Sequence, residues 1–161
     1  MNHPPAPRLA IVGGGPAGLM AAEVAIAAGL AVDLYEGKGS VGRKFLIAGK
    51  GGLNLTHSEP YAAFVGRFGA RSGQVGRWLS AFDADALREW ARVLGVDTFI
   101  GSSGRVFPSD MKAAPLLRGW VRRLRESGVR FHAHHYCLGL AAGRRLRFRT
   151  PEGDRDIAAD A

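Results

Sequence analysis

Three glycines and one glutamate have the spacing of a site that binds a dinucleotide. Gly13, Gly15 and Gly18 form a G-x-G-x-x-G pattern, and Glu36 follows the last of them by 18 residues. In this pattern the first glycine allows a tight strand-to-helix turn, the second lets backbone approach a pyrophosphate, and the third lets the helix lie close to the strand. The later carboxylate binds ribose hydroxyl groups and repels a 2′-phosphate, so the pattern favours FAD or NAD over NADP.

The elements that must position these residues form a βαβ unit over residues 8–36. Residues 8–12 and 31–35 are short apolar runs typical of buried strands, and residues 16–28 predict a helix that ends at Gly29. Its N-terminus would direct unpaired N–H groups at the phosphates. The predicted buried face of the helix consists of small apolar residues, namely Ala17, Met20, Ala21, Val24 and Ala28. The predicted site comprises Gly13, Gly14, Gly15, Pro16, Ala17, Gly18 and Glu36, and a glycine turn without a ligand is the alternative.

Residues 37–59 are rich in glycine and basic side chains and match neither a simple helix nor a simple strand. Such a loop suits an anionic ligand, because its backbone offers N–H groups while Arg43 and Lys44 neutralise phosphate charge. A mobile surface loop is the alternative. A P-loop is excluded, because Gly51 follows Lys50 where Ser or Thr is required and Lys44 replaces the first glycine.

The same loop also carries a family resemblance. The stretch GRKFLIAGKGGLNLTH, after GGGPAG and a strand-terminal Glu, resembles the signature of the bacterial YhiN/BaiN-like flavoproteins, which include aminoacetone oxidase and a bile-acid dehydro-reductase. The positions that match are Gly42, Arg43, Lys44, Leu46, Ile47, Gly49, Gly51, Asn54, Leu55 and Thr56. The positions that depart are Ala48, Lys50, Gly52, Leu53 and His57, which indicates a subgroup with a different flavin-side environment.

The resemblance implies an α/β fold, a glutathione-reductase-like FAD-binding Rossmann domain with a parallel sheet, helices and a three-stranded β-meander. It implies that Lys50 to Asn54 line the approach to the isoalloxazine and that the backbone of Tyr136 contacts the adenine. Arg105 and Phe107 are further candidate flavin contacts, with packing of a hairpin edge as the alternative. Beyond the first glycine turn, the predicted cofactor residues are Gly37, Arg43, Lys44, Lys50, Gly51, Asn54 and Tyr136.

The remaining chain predicts a helical and hairpin excursion over 60–110, followed by a helix, a strand and the meander over 111–161. The predicted helices are 59–68, 75–82, 84–94 with Asp83 as N-cap, and 111–127 with Asp110 as N-cap. The predicted strands are 98–101, 105–108, 129–135, 138–142, 145–150 and 154–159. Trp78, Phe82 and Trp90 are expected in the core. Because the resembling family continues with a further strand, we expect this chain to stop before the last sheet strand and to lack the substrate domain.

Composition narrows the function classes. Cys137 is the only cysteine, which excludes a dithiol reductase, and no run reaches the ~20 apolar residues of a membrane span. His132 and His134 would share a strand face, but no cysteine or acidic cluster accompanies them, so no metal site is predicted. The N-terminus lacks a basic region followed by a long apolar stretch, so we expect a cytosolic protein.

The function implied by the resemblance is that of an FAD-dependent oxidoreductase acting on an unidentified small molecule. No catalytic residue is assigned, because the flavin carries the redox chemistry. NAD(P)H as electron donor stays open, and so does the oligomeric state. The net charge of +8 raises a flavin-dependent RNA-modifying enzyme as one alternative, although the basic residues are spread over many segments and nucleic acid is not the expected partner. A non-catalytic dinucleotide-binding fragment is the other alternative.

Overall fold

The computed structural model describes residues 6–48, 51–143 and 145–161, which fold into two compact units. The first unit comprises the chain up to Phe45 together with Val121–Ala161, and the second comprises Leu46–Trp120. The strands are β1 (Arg8–Val12), β2 (Ala31–Tyr35), β3 (Thr56–His57), β4 (Thr98–Ile100), β5 (Arg105–Pro108), β6 (Arg130–His132), β7 (Tyr136–Ala141), β8 (Arg145–Thr150) and β9 (Gly153–Ala158). The helices are α1 (Pro16–Ala27), α2 (Arg43–Ala48), α3 (Tyr61–Gly66), α4 (Ser72–Leu79), α5 (Ala84–Val93) and α6 (Ala113–Glu126), with a 3-10 turn at Gly69–Arg71.

A parallel three-stranded sheet in the order β1-β2-β6 forms the centre of the first unit. Its middle strand β2 is apolar apart from Asp33, and Val32 and Leu34 in it are almost fully buried. The register pairs Val12 with Tyr35, so β1 and β2 end side by side. This register places the turn that begins at Gly13 and the residue Glu36 at the same edge of the sheet, as the sequence predicts.

Helix α1 connects β1 to β2, as predicted, but the predicted buried face is wrong. The buried residues of α1 are Leu19, Ala22 and Ala25, whereas Val24 is 64% exposed. Ala17, Ala21 and Ala28 are also exposed, and Met20 is half-buried. Nearly every residue of this helix is apolar, so the sequence has no hydrophobic period from which to choose a face.

An antiparallel meander, β7-β8-β9, completes the first unit. Phe148 of β8 is fully buried and stacks on Tyr35 with ring centroids 4.6 Å apart. Tyr35 in turn stacks on His132 of β6, with centroids 4.5 Å apart and the rings 13° from parallel. This column of three rings joins the meander to the parallel sheet.

Asp33 is a buried carboxylate in the middle of β2 with cationic partners on both neighbouring strands. Arg130 of β6 donates two hydrogen bonds to it, at 2.8 and 2.6 Å, and Arg8 of β1 donates one at 3.1 Å. His132 Nε2 lies 2.7 Å from Asp33 Oδ1. Burial alone would raise the pKa of Asp33, but the hydrogen bonds from Arg130, His132 and Arg8 outweigh it and lower the pKa from 3.8 to about 2.

This network predicts acid lability of the fold. Because the pKa of Asp33 is lower in the folded chain than in the unfolded chain, its contribution is complete above about pH 4 and is lost as the pH falls to about 2. We expect the free energy of unfolding to fall by about 1–2 kcal/mol over that interval from this group alone. Urea unfolding at a series of pH values measures this free energy. Asp33→Asn should flatten the dependence relative to Asp154→Asn, and equal slopes in the two variants would contradict the assignment.

The second unit is built on an antiparallel sheet in the order β3-β5-β4 with helices α3 to α5. Asp83 caps α5 as predicted, because its side chain accepts a hydrogen bond from the Ala86 N–H. Trp90 packs edge-on against Trp120, with centroids 4.7 Å apart. The expectation that Trp78 and Phe82 are core residues is wrong, since they are 62% and 37% exposed. In α4 the half-buried residues are Ser72, Val75, Gly76 and Leu79, and Trp78 is not on that face.

Three other local predictions need correction. Residues 43–48 form a helix within the loop predicted to be irregular. Helix α6 begins at Ala113 instead of 111, because Met111 has a φ of 61° that a helix does not allow. The predicted strand 129–135 ends at His132, since His134 has a φ of 58°, so His132 and His134 do not share a strand face.

Candidate cofactor site

The glycine turn after β1 leaves no room for side chains at two of its positions. A Cβ on Gly18 would lie closer than 3.0 Å to the Gly13 carbonyl oxygen, which shows how near the first turn of α1 comes to the end of β1. A Cβ on Gly14 would meet Val41 at a similarly forbidden distance and Glu36 Oε2 at 3.1 Å. Gly13 itself has a φ of +103°, a conformation that side chains rarely adopt.

Gly15 has a different reason to be glycine. It is the N-cap of α1, with φ −77° and ψ 178°, and a Cβ there would meet nothing within 4 Å. The fold therefore tolerates a side chain at this position, and the open space in front of it is room for a ligand. Pro16 follows in the first turn, which contains no acidic side chain, so the N–H groups of Ala17 and Gly18 and the positive end of the dipole face that space.

Glu36 lies beside this turn with its carboxylate fixed by two backbone groups. The Gly14 N–H donates to Oε2 at 2.9 Å, and the Lys38 N–H donates to Oε1 at 2.8 Å. The backbone of Glu36 is also held, because its N–H donates to the His132 carbonyl and its carbonyl accepts from the His135 N–H. A half-buried carboxylate in this position keeps further lone pairs for two adjacent hydroxyl groups, as a ribose offers.

Gly37 and Tyr136 are brought together next to Glu36. A Cβ on Gly37 would lie 3.2 Å from Tyr136 Cδ2 and 3.5 Å from Tyr136 Cα, so the two backbones approach closely. Tyr136 as a whole is 60% exposed. The backbone of Tyr136 therefore lies next to the end of β2.

Arg43 and Lys44 begin helix α2, and their chain is tied to the glycine turn. The Gly42 N–H donates to the Gly14 carbonyl at 2.7 Å, and Gly42 has a φ of +70°. Both basic side chains are exposed. From the sequence, Gly42 was predicted only as a match to the family signature and not as a residue of the turn.

Gly51 and Asn54 belong to the second unit, while Lys50 and Gly49 lie outside the described residues. Asn54 is exposed between two tethered neighbours, since the Leu53 N–H donates to the Met111 carbonyl at 3.0 Å and the Leu55 N–H donates to the Val106 carbonyl at 2.9 Å. Gly51 is exposed as well, and a Cβ there would meet nothing within 4 Å.

The two other candidate flavin contacts lie on β5. Phe107 packs against Phe99 of β4 with ring centroids 5.8 Å apart. Arg105 is exposed and pairs with His57 of β3. His57 Nδ1 accepts from the Glu59 N–H at 3.1 Å and its Nε2 lies 3.0 Å from the Ser103 carbonyl, so both ring nitrogens are used within the fold.

The basic residues of the meander are partly neutralised by its own acids. Arg147 binds Asp156 through two hydrogen bonds, at 2.7 and 3.0 Å, and Arg149 binds Asp154 at 3.3 Å. Among the described residues, no three histidine, cysteine or acidic side chains are grouped as metal ligands would be. The described part of the chain also contains no helix that is both long and apolar enough to span a membrane.

Solved structures with the same fold support this description of the architecture. The open form of a flavocytochrome c3 fumarate reductase is 16% identical with a TM-score of 0.71, covering 97% of this chain and 32% of that one. The 3-ketosteroid-Δ4-(5α)-dehydrogenase from Rhodococcus jostii RHA1 is 15% identical with a TM-score of 0.67, covering 96% and 44%. Thermovibrio ammonificans THI4 is 18% identical with a TM-score of 0.60, covering 95% and 54%. The chain thus spans about half or less of the length of these proteins.

Family membership follows from a sequence model. No curated protein matches the chain significantly. The model of the HI0933-like protein Rossmann domain matches residues 7–161, which is nearly the whole chain. The chain therefore belongs to the HI0933-like family of FAD-dependent oxidoreductases, in which it is the FAD-binding Rossmann domain.

Proposed function

We propose that this chain binds the ADP half of FAD at the glycine turn, as part of a flavoprotein that oxidises or reduces a small molecule. The observation that carries the proposal is the combination of an open N-cap at Gly15 with a carboxylate, Glu36, fixed 2.9 Å from the Gly14 N–H. The first accepts a pyrophosphate at the N-terminus of a helix, and the second accepts the ribose hydroxyls. The bound flavin supplies the redox chemistry.

Each residue of the first unit has a separate role in this proposal. The backbone N–H groups of Gly15, Ala17 and Gly18 bind the pyrophosphate, and Glu36 orients the adenosine ribose. Gly37 permits the close approach of the Tyr136 backbone, which we assign to the adenine. Arg43 and Lys44 add positive charge beside the turn.

From the sequence motif, we assign flavin contacts to Lys50, Gly51 and Asn54. Asn54 is exposed, and its two neighbours are held by backbone hydrogen bonds, which supports a side-chain amide that is available to a ligand. We further propose that the substrate is a small molecule and that the protein is cytosolic.

Replacing Glu36 by alanine tests the proposal. Glu36→Ala should weaken FAD binding roughly 10- to 100-fold, because hydrogen bonds from hydroxyls to a charged acceptor are lost. Titration of the chain with FAD, followed by flavin fluorescence, measures the affinity. Glu126→Ala is the matched control, since Glu126 is an exposed carboxylate at the end of α6.

A second comparison separates ribose contact from loss of structure. The unmodified chain should bind ADP more tightly than 2′-deoxy-ADP, whereas Glu36→Ala should bind both equally. The same preference in both proteins would remove Glu36 from the ribose site. Failure of the unmodified chain to bind FAD or ADP would refute the proposed function for this chain.

A further inference from the structure

Met111 has a backbone conformation that is unfavourable for its side chain. Its φ is 61°, and within the described part of the chain the only other non-glycine residue with a positive φ is His134. A residue with a Cβ is less stable in this region than in the right-handed conformation, because the Cβ comes too close to the following carbonyl oxygen. Contacts of Met111 must offset this cost for the conformation to persist.

Two of those contacts are made with the loop 51–55, and a third is made with Pro108. The Met111 carbonyl accepts the hydrogen bond from the Leu53 N–H at 3.0 Å, and the Met111 N–H donates to the Pro108 carbonyl at 2.9 Å. The terminal methyl of Met111 packs directly over Gly52, where an added Cβ would lie only 2.5 Å from it. Met111 therefore holds the loop through both its main chain and its side chain.

The side chain that makes this contact is accessible to reagents. Met111 is 37% exposed, although its methyl lies against Gly52. A peroxide can reach a thioether in such a position, and more exposed methionines are oxidised faster. In that reaction with hydrogen peroxide a sulfur lone pair attacks one oxygen, the O–O bond breaks and the other oxygen leaves as hydroxide. The proton of the new sulfur-bound hydroxyl passes to that hydroxide, which gives the sulfoxide, with sulfur oxidised by two electrons, and water.

We propose that Met111 is a peroxide modification site that controls the order of the loop 51–55. The sulfoxide oxygen is strongly polar and needs hydration, so the oxidised side chain leaves its contact with Gly52. The backbone of Met111 then loses the packing that offsets its positive φ, and the hydrogen bond to Leu53 weakens. A consequence for flavin binding by Gly51 and Asn54 also follows, and that consequence alone rests on the proposed function.

Peroxide treatment of the whole 161-residue chain, followed by peptide mass spectrometry, tests the site. Met111 should convert to the sulfoxide about fivefold or more faster than the half-buried Met20 of α1. Hydrogen exchange of the Leu53 amide should accelerate roughly tenfold after conversion and return after treatment with methionine sulfoxide reductase. Slower conversion of Met111 than of Met20, or unchanged Leu53 exchange in fully converted protein, would overturn the proposal.

The variant Met111→Leu supplies the control. Leucine keeps an apolar side chain but cannot be oxidised, so peroxide should leave its Leu53 exchange unchanged. An equal acceleration in this variant would mean general damage and would also overturn the proposal. An FAD titration before and after peroxide is read separately: no binding before treatment contradicts the proposed function, while the exchange results still decide the role of Met111.

Discussion

Replacing Gly18 by alanine is expected to destabilise the first unit more than any other single-methyl change at the glycine turn. The added Cβ would lie closer than 3.0 Å to the Gly13 carbonyl oxygen and 3.4 Å from Ile11 Cγ2. The obstacle is backbone, which cannot rotate away as a flexible side chain can. To make room, α1 must move away from the end of β1, and the contacts of Leu19, Ala22 and Ala25 with the rest of the unit move with it.

We expect Gly18→Ala to cost about 3 kcal/mol of unfolding free energy, which lowers the Tm by roughly 6–12 °C for a chain of this size. Differential scanning calorimetry measures both. Gly73→Ala in α4 is the matched control, since a Cβ there meets nothing within 4 Å and alanine favours helix. That control should be neutral or slightly stabilising. A Gly18→Ala protein with the same Tm as the unmodified chain would disprove the close approach of α1 to β1.

Replacing Gly15 by alanine should have the opposite profile, with binding lost and stability kept. The position has ordinary backbone angles, and no atom lies within 4 Å of an added Cβ. We therefore expect a change in unfolding free energy within about 0.5 kcal/mol. The methyl would, however, occupy the space that we propose for the pyrophosphate at the helix N-terminus.

The expected loss of FAD affinity for Gly15→Ala is about 2–3 kcal/mol, roughly a hundredfold. Fluorescence titration gives the affinity, and a thermal melt of the same sample gives the stability. Together with Gly18→Ala, this variant separates a glycine required by the fold from a glycine required by the ligand. Normal FAD affinity in a folded Gly15→Ala protein would place the pyrophosphate elsewhere.

The βαβ unit was predictable because its signals are local and agree with one another. A strand, a glycine turn, a helix and a second strand follow within 29 residues, from Arg8 to Glu36, and each restricts the next. Because the loops on either side of α1 are short, β1 and β2 pair in parallel with their ends together. The N-cap at Asp83 was predictable for the same reason, since its partner Ala86 is three residues away.

The sequence did not predict features that depend on the pairing of strands far apart in the chain. It also did not predict which of several equally apolar faces of a helix is buried. The network at Asp33 requires β2 to pair with β6, which follows about a hundred residues later, so that Arg130 and His132 come opposite it. Helix α1 has a single charged residue, Glu23, which is half-buried and pairs with Arg123, so no polar side chain marked the outer face of the helix. Residues 43–48 form a helix although the glycines around them weaken any local signal.

The turn peptide between β1 and α1 is anchored on both flanks before any ligand arrives. The Gly13 N–H donates to the Tyr35 carbonyl at 2.8 Å, and the Gly14 carbonyl accepts from the Gly42 N–H at 2.7 Å. The carboxylate of Glu36 is likewise oriented in advance. The conformational entropy of these residues is therefore lost when the chain folds, and little more is lost when the ligand binds. Calorimetric binding of ADP should accordingly show a heat capacity change too small for coupled folding, with the turn acting as a rigid template for the nucleotide.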